Sequence, residues 1–322
     1  MTAHRAAASS QVRDRRPMDR TSAAGTVSLM RTIGVIGAPS SAGAYAPGQE
    51  LAPQRLREAK LLSRLEQLGT TVHDRGDLSS RRWSPDRSSR RAQNIEGVIS
   101  TVESVGTAVG ACIRAGERPL VLGGDCTVGL GTIAALDEPG LVYLDLHADM
   151  NVPSSTPDGA LDWMGVGHAL GLEGCVRELA ACCEMQADQI VLLGLDVTQA
   201  TVWEREQVLA KLVQVVDVAA LAADPVGAAR AALAAIPVER AAIAVHFDVD
   251  VVDFIDAPLS ENTGRNVGVP LQTALDALAV LLDDPRVAAV TVTELNPLHG
   301  EADGSTIACF VDGLARACAH WR

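Results

Sequence analysis

The sequence predicts an α/β protein: a three-layer α/β/α sandwich around a mostly parallel sheet of about eight strands. Three observations lead there. From residue 31 onward, short β-branched runs alternate with longer amphipathic, Ala/Leu-rich stretches. The runs are almost wholly apolar, as parallel strands covered on both faces should be. No linker or internal repeat divides residues 31–322, so one domain is expected there. A (β/α)8 barrel has the same alternation and remains the fold alternative.

In chain order, the run Thr-Ile-Gly-Val-Ile-Gly predicts a strand at 32–37, and an amphipathic stretch predicts a helix over 54–65. A strand at 70–74 follows, then a long helix over 95–115 whose valines recur every three or four positions. Next come a strand at 119–123 closed by two glycines, a helix over 127–136 and an apolar strand at 141–146. Two further strands, 189–195 and 213–218, precede an Ala-rich helix over 225–235 that opens with Pro. Strands at 243–248 and 287–295 flank a helix over 272–282, and a last amphipathic helix covers 306–321.

With 322 residues the chain can bury a large core, and 48% hydrophobic against 21% charged residues is a folded rather than a disordered profile. No apolar run approaches the ~20 residues of a membrane span. The net charge of −13 is spread along the chain and repels phosphates, which argues against nucleic acid partners. Part of that excess fits carboxylates that await divalent cations. Seven scattered cysteines without Cys-x-x-Cys spacing point to a reducing, cytoplasmic setting. Six of them read as small core residues, with Cys126 set apart. Residues 1–30 carry Arg5, Arg13, Arg15, Arg16 and Arg20 without an apolar segment, and are expected to form a disordered extension or to precede a start at Met18 or Met30. The arginines of the polar loop 81–91 are expected to be solvated.

Ligands of α/β folds bind at the carboxyl ends of the strands, and three strand ends here are rich in metal-type donors. They read Asp145-Leu146-His147-Ala148-Asp149, Asp248-Val249-Asp250-Val251-Val252-Asp253 and Gly123-Gly124-Asp125-Cys126-Thr127. In extended backbone, residues two apart share a side, so Asp145, His147 and Asp149 are expected to converge, as are Asp248 and Asp250. Carboxylates gathered out of water repel one another unless cations intervene. Mixed carboxylate and imidazole donors suit Mn2+, with Zn2+, Co2+, Ni2+ or Fe2+ as alternatives. A pair of such ions would turn water into a nucleophile at neutral pH. Either motif alone could be a surface turn, whereas both closing buried strands point to a site.

These motifs resemble the arginase/agmatinase (ureohydrolase) superfamily, whose Gly-Gly-Asp-His-Ser, Asp-Ala-His-x-Asp and Ser-x-Asp-x-Asp-x-x-Asp-Pro occur in this order. They correspond here to 123–127, 145–149 and 246–254. Ile33-Gly34-Val35-Ile36-Gly37-Ala38-Pro39, Gly76-Asp77-Leu78 and Thr293-Glu294-Leu295-Asn296-Pro297 are similar to further family segments. The resemblance implies the α/β/α fold shared by arginases and deacetylases, two Mn2+ per chain, hydrolysis of a guanidino C–N bond to urea and an amine, and a homotrimer or homohexamer. It implies one metal held by Cys126, Asp145, Asp149 and Asp248, and another by His147, Asp145, Asp248 and Asp250. Glu294 would face the guanidinium, and Asn151 an amino-acid carboxylate.

Four departures bear on the substrate. Cys126 stands where the family has a His ligand. It is either a softer ligand, a sign of a one-metal site, or a mark of a non-catalytic relative. Ureohydrolases of antibiotic pathways that cleave N-hydroxyarginine are similar in this Cys, which brings an N-hydroxyguanidino substrate forward. The family's proton-shuttle His aligns with Asp162, and His168 is a nearby substitute. The acidic positions that hold a substrate α-amino group align with Val197 and Gln199, or with Asp196 after a one-residue gap. Phe254 replaces a Pro, ahead of a loop, 255–268, expected to shape the pocket. The rival readings are a metal-poor pseudoenzyme in a regulatory or assembly role and a mononuclear-zinc, deacetylase-like enzyme, although the adjacent His pair of the latter is missing.

Overall fold

In the computed structural model, which describes residues 32–322, eight strands form a single parallel sheet. The expected N-terminal extension, 1–30, lies outside the described residues. In chain order the elements are β1 (Thr32–Gly37), α1 (Ala52–Glu58), α2 (Leu61–Gln67), β2 (Thr71–Asp77), α3 (Ile95–Arg114), β3 (Arg118–Leu122), α4 (Val128–Ala134) and β4 (Gly140–Leu144). Then follow α5 (Gly165–Ala169), α6 (Arg177–Ala181), β5 (Ile190–Leu195), α7 (Val202–Lys211), β6 (Gln214–Asp217), α8 (Val218–Ala223) and α9 (Pro225–Ala235). The chain ends with β7 (Ile243–Asp248), α10 (Leu271–Leu282), β8 (Val287–Thr293) and α11 (Ser305–Cys318).

The strand order is β2-β1-β3-β8-β7-β4-β5-β6, and every pairing is parallel. β2 and β6 are open edges, so the sheet is a sandwich layer and not a closed barrel. Side chains alternate between its faces. Leu120, Leu122, Val142, Leu144, Val245 and Phe247 join one core with α8 to α11, while Val121, Leu141, Tyr143 and Ala244 face the cores built on α3 and α4. A fully buried Val, Leu or Phe of this kind contributes roughly 1.5–3 kcal/mol, while buried polar side chains enter the inner strands β7 and β8 as His246, Asp248, Thr291 and Thr293.

Several boundaries differ from the sequence reading. The helix expected over 54–65 breaks at Lys60, which takes a left-handed φ of 72° and separates α1 from α2. The strand expected over 213–218 ends at Asp217, whose side chain caps the amide of Ala220 and starts α8 at Val218. β2 and β6 are largely exposed because each has only one neighbouring strand, so the expectation of cover on both faces fails at the edges. Helices α5 to α8 were not expected. α7 was legible in principle, since Thr201 and Glu204 form a capping box at its start.

Two side-chain expectations are also corrected. Cys309 is exposed, and Cys175 and Cys182 are only half-buried, so three of the six remaining cysteines are not core residues. The 81–91 arginines are partly engaged: Arg82 pairs with the buried Glu50, and Arg91 donates to the carbonyls of Ser154 and Thr156.

Candidate metal centre

The four central strands, β3, β8, β7 and β4, deliver the motifs side by side at their carboxyl ends. β3 leads to Cys126, β8 to Glu294, β7 to Asp248 and Asp250, and β4 to Asp145, His147 and Asp149. After β3 the chain crosses over β8 and β7 to reach β4, and the crevice lies at that switch in strand order.

The residues meet, but not for the reason the sequence suggested. β4 stops at Leu144 and β7 at Asp248, so neither motif is extended. Asp145 instead accepts the amide of His147 at 2.6 Å, and Asp248 accepts that of Asp250 at 2.7 Å. These tight turns fold each second donor back onto the first. Asp149 (φ 48°) and Glu294 (φ 60°) hold left-handed backbone that side chains with a Cβ disfavour. Asp149 is held there by Tyr143, whose hydroxyl donates to Oδ2 at 2.5 Å, and by the Gly167 amide bonded to its carbonyl at 2.9 Å.

Among the described residues, three groups of donors lie close enough to share a cation, each with its ligand atoms within 4.8 Å of one another. They are Cys126 with Asp145 and Asp149, Asp145 with His147 and Asp250, and Cys126 with His246 and Asp248. His147 Nδ1 is 3.0 Å from Asp250 Oδ2, and Cys126 Sγ is 2.8 Å from Asp248 Oδ2. Asp145 Oδ2 and Asp250 Oδ1 are buried without a hydrogen-bond partner among the described residues. Burial pushes the Asp145 carboxyl up to about 7, with Asp250 adding to the effect. Burial and the neighbouring carboxylates raise Asp149 and Asp248 as well. Burial acts on Asp250 in the same direction and is the largest single effect, yet the imidazole of His147 together with hydrogen bonds to Asp145 and Asp248 holds Asp250 below the usual range. Orphaned oxygens and carboxyls that resist ionisation mark a donor set that divalent cations would complete, so the residues fit the metals the motifs implied.

Above the donors lies a cavity of about 580 Å³. Cys126, His147, Asp149, Asp248 and Asp250 form part of its wall, with Glu294 and Asp162 among the other acids. No Lys or Arg lines it among the described residues. Glu294 accepts the Cys126 amide at 2.9 Å and the Gln49 side-chain amide at 3.1 Å. Asn151 also lines the cavity, and its carbonyl oxygen accepts Ser155 and Thr201 hydroxyls. Asp162 is buried, and burial followed by the charges of Glu294 and Asp125 raises its carboxyl.

His168 is a correction. Its ring is bonded on both sides, to the Met164 carbonyl at 2.7 Å and from the Val176 amide at 3.2 Å, and it lies outside the cavity. Burial lowers it to about 4, so it stays neutral and braces α5. Asp196 is bound into a turn with Thr198, and Val197 is half exposed, while Gln199 reaches the cavity.

The structure adds residues that the sequence reading did not single out. Tyr45 and Trp163 meet edge-to-face at 6.2 Å beside the cavity. Glu204 and Asn262 line it, with Asn262 Nδ2 3.2 Å from His147 Nε2. Asn262 comes from the loop that follows Phe254. His246 is the addition nearest the donors, and its place in the third motif was the available signal.

Comparison with known proteins agrees with this geometry. The Arginase family profile matches residues 31–318. The arginase of Bacillus subtilis (strain 168) is 27% identical over 296 residues, covering 88% of this chain and 97% of that protein. The hepatic arginase of Aquarana catesbeiana is 30% identical over 291 residues, covering 85% and 87%. The structure of Entamoeba histolytica arginase with L-ornithine superposes with a TM-score of 0.79 at 22% identity, covering 88% of this chain and 98% of that one. With a family profile that spans nearly the whole described chain, this protein belongs to the arginase family.

Proposed function

We propose that this chain is an amidinohydrolase that cleaves the C–N bond of a guanidino or N-hydroxyguanidino substrate, giving urea or hydroxyurea plus an amine. One observation carries the reading: Cys126, His147, Asp149, Asp248, Asp250 and Glu294 share one acidic cavity with no Lys or Arg in its lining among the described residues. Such a cavity favours a cationic, planar group over an anionic substrate. Two divalent cations, Mn2+ by the family resemblance, would supply an activated water and Lewis acidity at the guanidinium carbon. Cys126, Asp145, Asp149 and Asp248 would hold one, and His147, Asp145, Asp248 and Asp250 the other.

The chain's own residues do the rest. Glu294 is fixed through both oxygens by Cys126 and Gln49, and a carboxylate keeps further lone pairs for guanidinium N–H groups. Burial raises the Glu294 carboxyl, so a cationic substrate would restore its charge. Asp162, whose carboxyl burial also raises, is the acid that would protonate the departing amine. Water thus adds at carbon, the C–N bond breaks with its electron pair on the nitrogen that takes the Asp162 proton, and of the two protons the water gives up one returns to Asp162 and the other completes the departing ammonium. Asn151 has its side-chain N–H groups left to donate to a substrate carboxylate. The cavity has no carboxylate at Val197 or Gln199, and Asp196 is occupied by its turn, so L-arginine, and any guanidino substrate that keeps its α-amino group, lacks the acidic partner that the family resemblance implies. We place the enzyme in the cytoplasm as a homotrimer or homohexamer, which sedimentation of the purified chain tests.

Metal-loaded protein should release urea or hydroxyurea from at least one of arginine, N-hydroxyarginine and agmatine. Failure with every guanidino compound under Mn2+, Zn2+, Co2+, Ni2+ and Fe2+ sinks the reading. Protein that binds no metal would favour the regulatory subunit, and a single zinc with no guanidino activity the deacetylase-like enzyme.

A further inference from the structure

We propose that His246 is a metal ligand, and that with Cys126 and Asp248 it forms a sulfur–nitrogen–oxygen pocket that takes Zn2+ in preference to Mn2+. The inference rests on the cation centre of the proposed function but not on its guanidino substrate. The third family motif begins with Ser, whereas this chain has His246 there. The first motif has His where this chain has Cys126. The imidazole absent from the loop after β3 is matched by one arriving from β7.

The geometry makes the exchange concrete. His246 Nε2 lies 3.3 Å from Cys126 Sγ, and that sulfur is 2.8 Å from Asp248 Oδ2. With Zn–S near 2.3 Å and Zn–N near 2.0 Å, tetrahedral sulfur and nitrogen ligands stand about 3.5 Å apart. The three donors therefore need only small outward shifts to close on an ion. The Cys126 thiol proton now bridges to Asp248, and a cation entering the pocket would displace that proton. Thiolate, imidazole and carboxylate together suit Zn2+, whereas Mn2+ prefers oxygen-rich sites such as that of Asp145, His147 and Asp250.

The ring is also fixed in place by its packing. Tyr143 stacks on it with centroids 4.1 Å apart and planes 8° apart, and Thr293 Oγ1 is 3.0 Å from Nε2. On the other side is Gly129, where a Cβ would come within 2.4 Å of Nδ1, so α4 makes room for the imidazole. Nδ1 is buried and has no hydrogen-bond partner. An apolar ring would fill this slot without that cost, so the imidazole is there for what Nε2 can bind; on ligation Nδ1 carries the N–H and stays without a partner.

X-ray absorption of the full-length protein with one equivalent of Zn2+ tests the proposal. The wild type should show one sulfur neighbour and imidazole. His147→Ala, which removes the other nearby imidazole, should keep both signals. His246→Asn should lose an imidazole and bind Zn2+ at least about tenfold more weakly. An unchanged imidazole count in His246→Asn overturns the proposal, as does a zinc spectrum without imidazole in His147→Ala. If His246→Asn does not fold, the His147→Ala spectrum decides alone. Guanidino hydrolysis without His246 ligation would defeat this inference and leave the function standing. Ligation without hydrolysis of any guanidino compound would do the reverse.

Discussion

The Cys126 thiol lies 2.8 Å from the Asp248 carboxylate, joining the loop after β3 to the end of β7 across the intervening strand β8. This contact puts the softest donor of the centre beside one of its hardest, and metal choice should depend on it. Cys126→His should raise the Mn2+ to Zn2+ ratio bound from an equimolar mixture, read by elemental mass spectrometry, together with turnover of plain arginine. An unchanged ratio would show that Cys126 does not ligate.

Glu294 is held in strained backbone with both oxygens engaged, an arrangement that presents charge rather than fills space. Glu294→Gln keeps the shape and removes the charge. We expect kcat/KM to fall roughly 10²–10³-fold while metal content stays near that of the wild type. A loss below about threefold would remove Glu294 from guanidinium recognition.

Gly129→Ala should be destabilising even though Ala is the better helix former. The gain in helix propensity is ~1 kcal/mol, but the new methyl would meet the His246 ring at 2.4 Å and 3.0 Å. Overpacking of this kind costs about 1–3 kcal/mol, so a net loss is expected in urea unfolding. Zinc affinity should drop in the same variant if the displaced ring is a ligand.

Chelation should make stability fall with rising pH. The Asp145 carboxyl is held at about 7 by burial and by Asp250, against ~3.9 in an unfolded chain. Between these values the cation-free fold keeps a proton that the unfolded chain has released, so stability is lost as pH rises through that window. Saturating Mn2+ or Zn2+ binds the ionised carboxylates and should reverse the trend. Thermal midpoints between about pH 5 and pH 7.5, with chelator and with metal, check the sign.

The strand ends and the donors upon them were legible because both are local signals. β1 and β7 match their predicted spans, and the predicted helix over 225–235 is α9, which starts where Asp224 caps the amide of Gly227 and Pro225 sits at its first turn. α7 was missed because its surface is mostly polar, which leaves little apolar periodicity to read. His168 misled for a different reason. Its nearness to Asp162 in the chain says nothing about which way its ring points, and α5 turns the ring inward onto Met164 and Val176.

By itself the sequence determined the alternation of strands and helices and named Cys126, Asp145, His147, Asp149, Asp248 and Asp250 as the residues to watch, since residue type and spacing are local properties of the chain, while Glu294 was marked by the family resemblance. Only the tertiary structure decided between barrel and open sheet, brought β3, β8, β7 and β4 side by side, and set His246 against Cys126, residues separated by 120 positions. Strand order and register follow from which faces bury against which helices. That is a property of the whole packed chain, and no single stretch of residues encodes it.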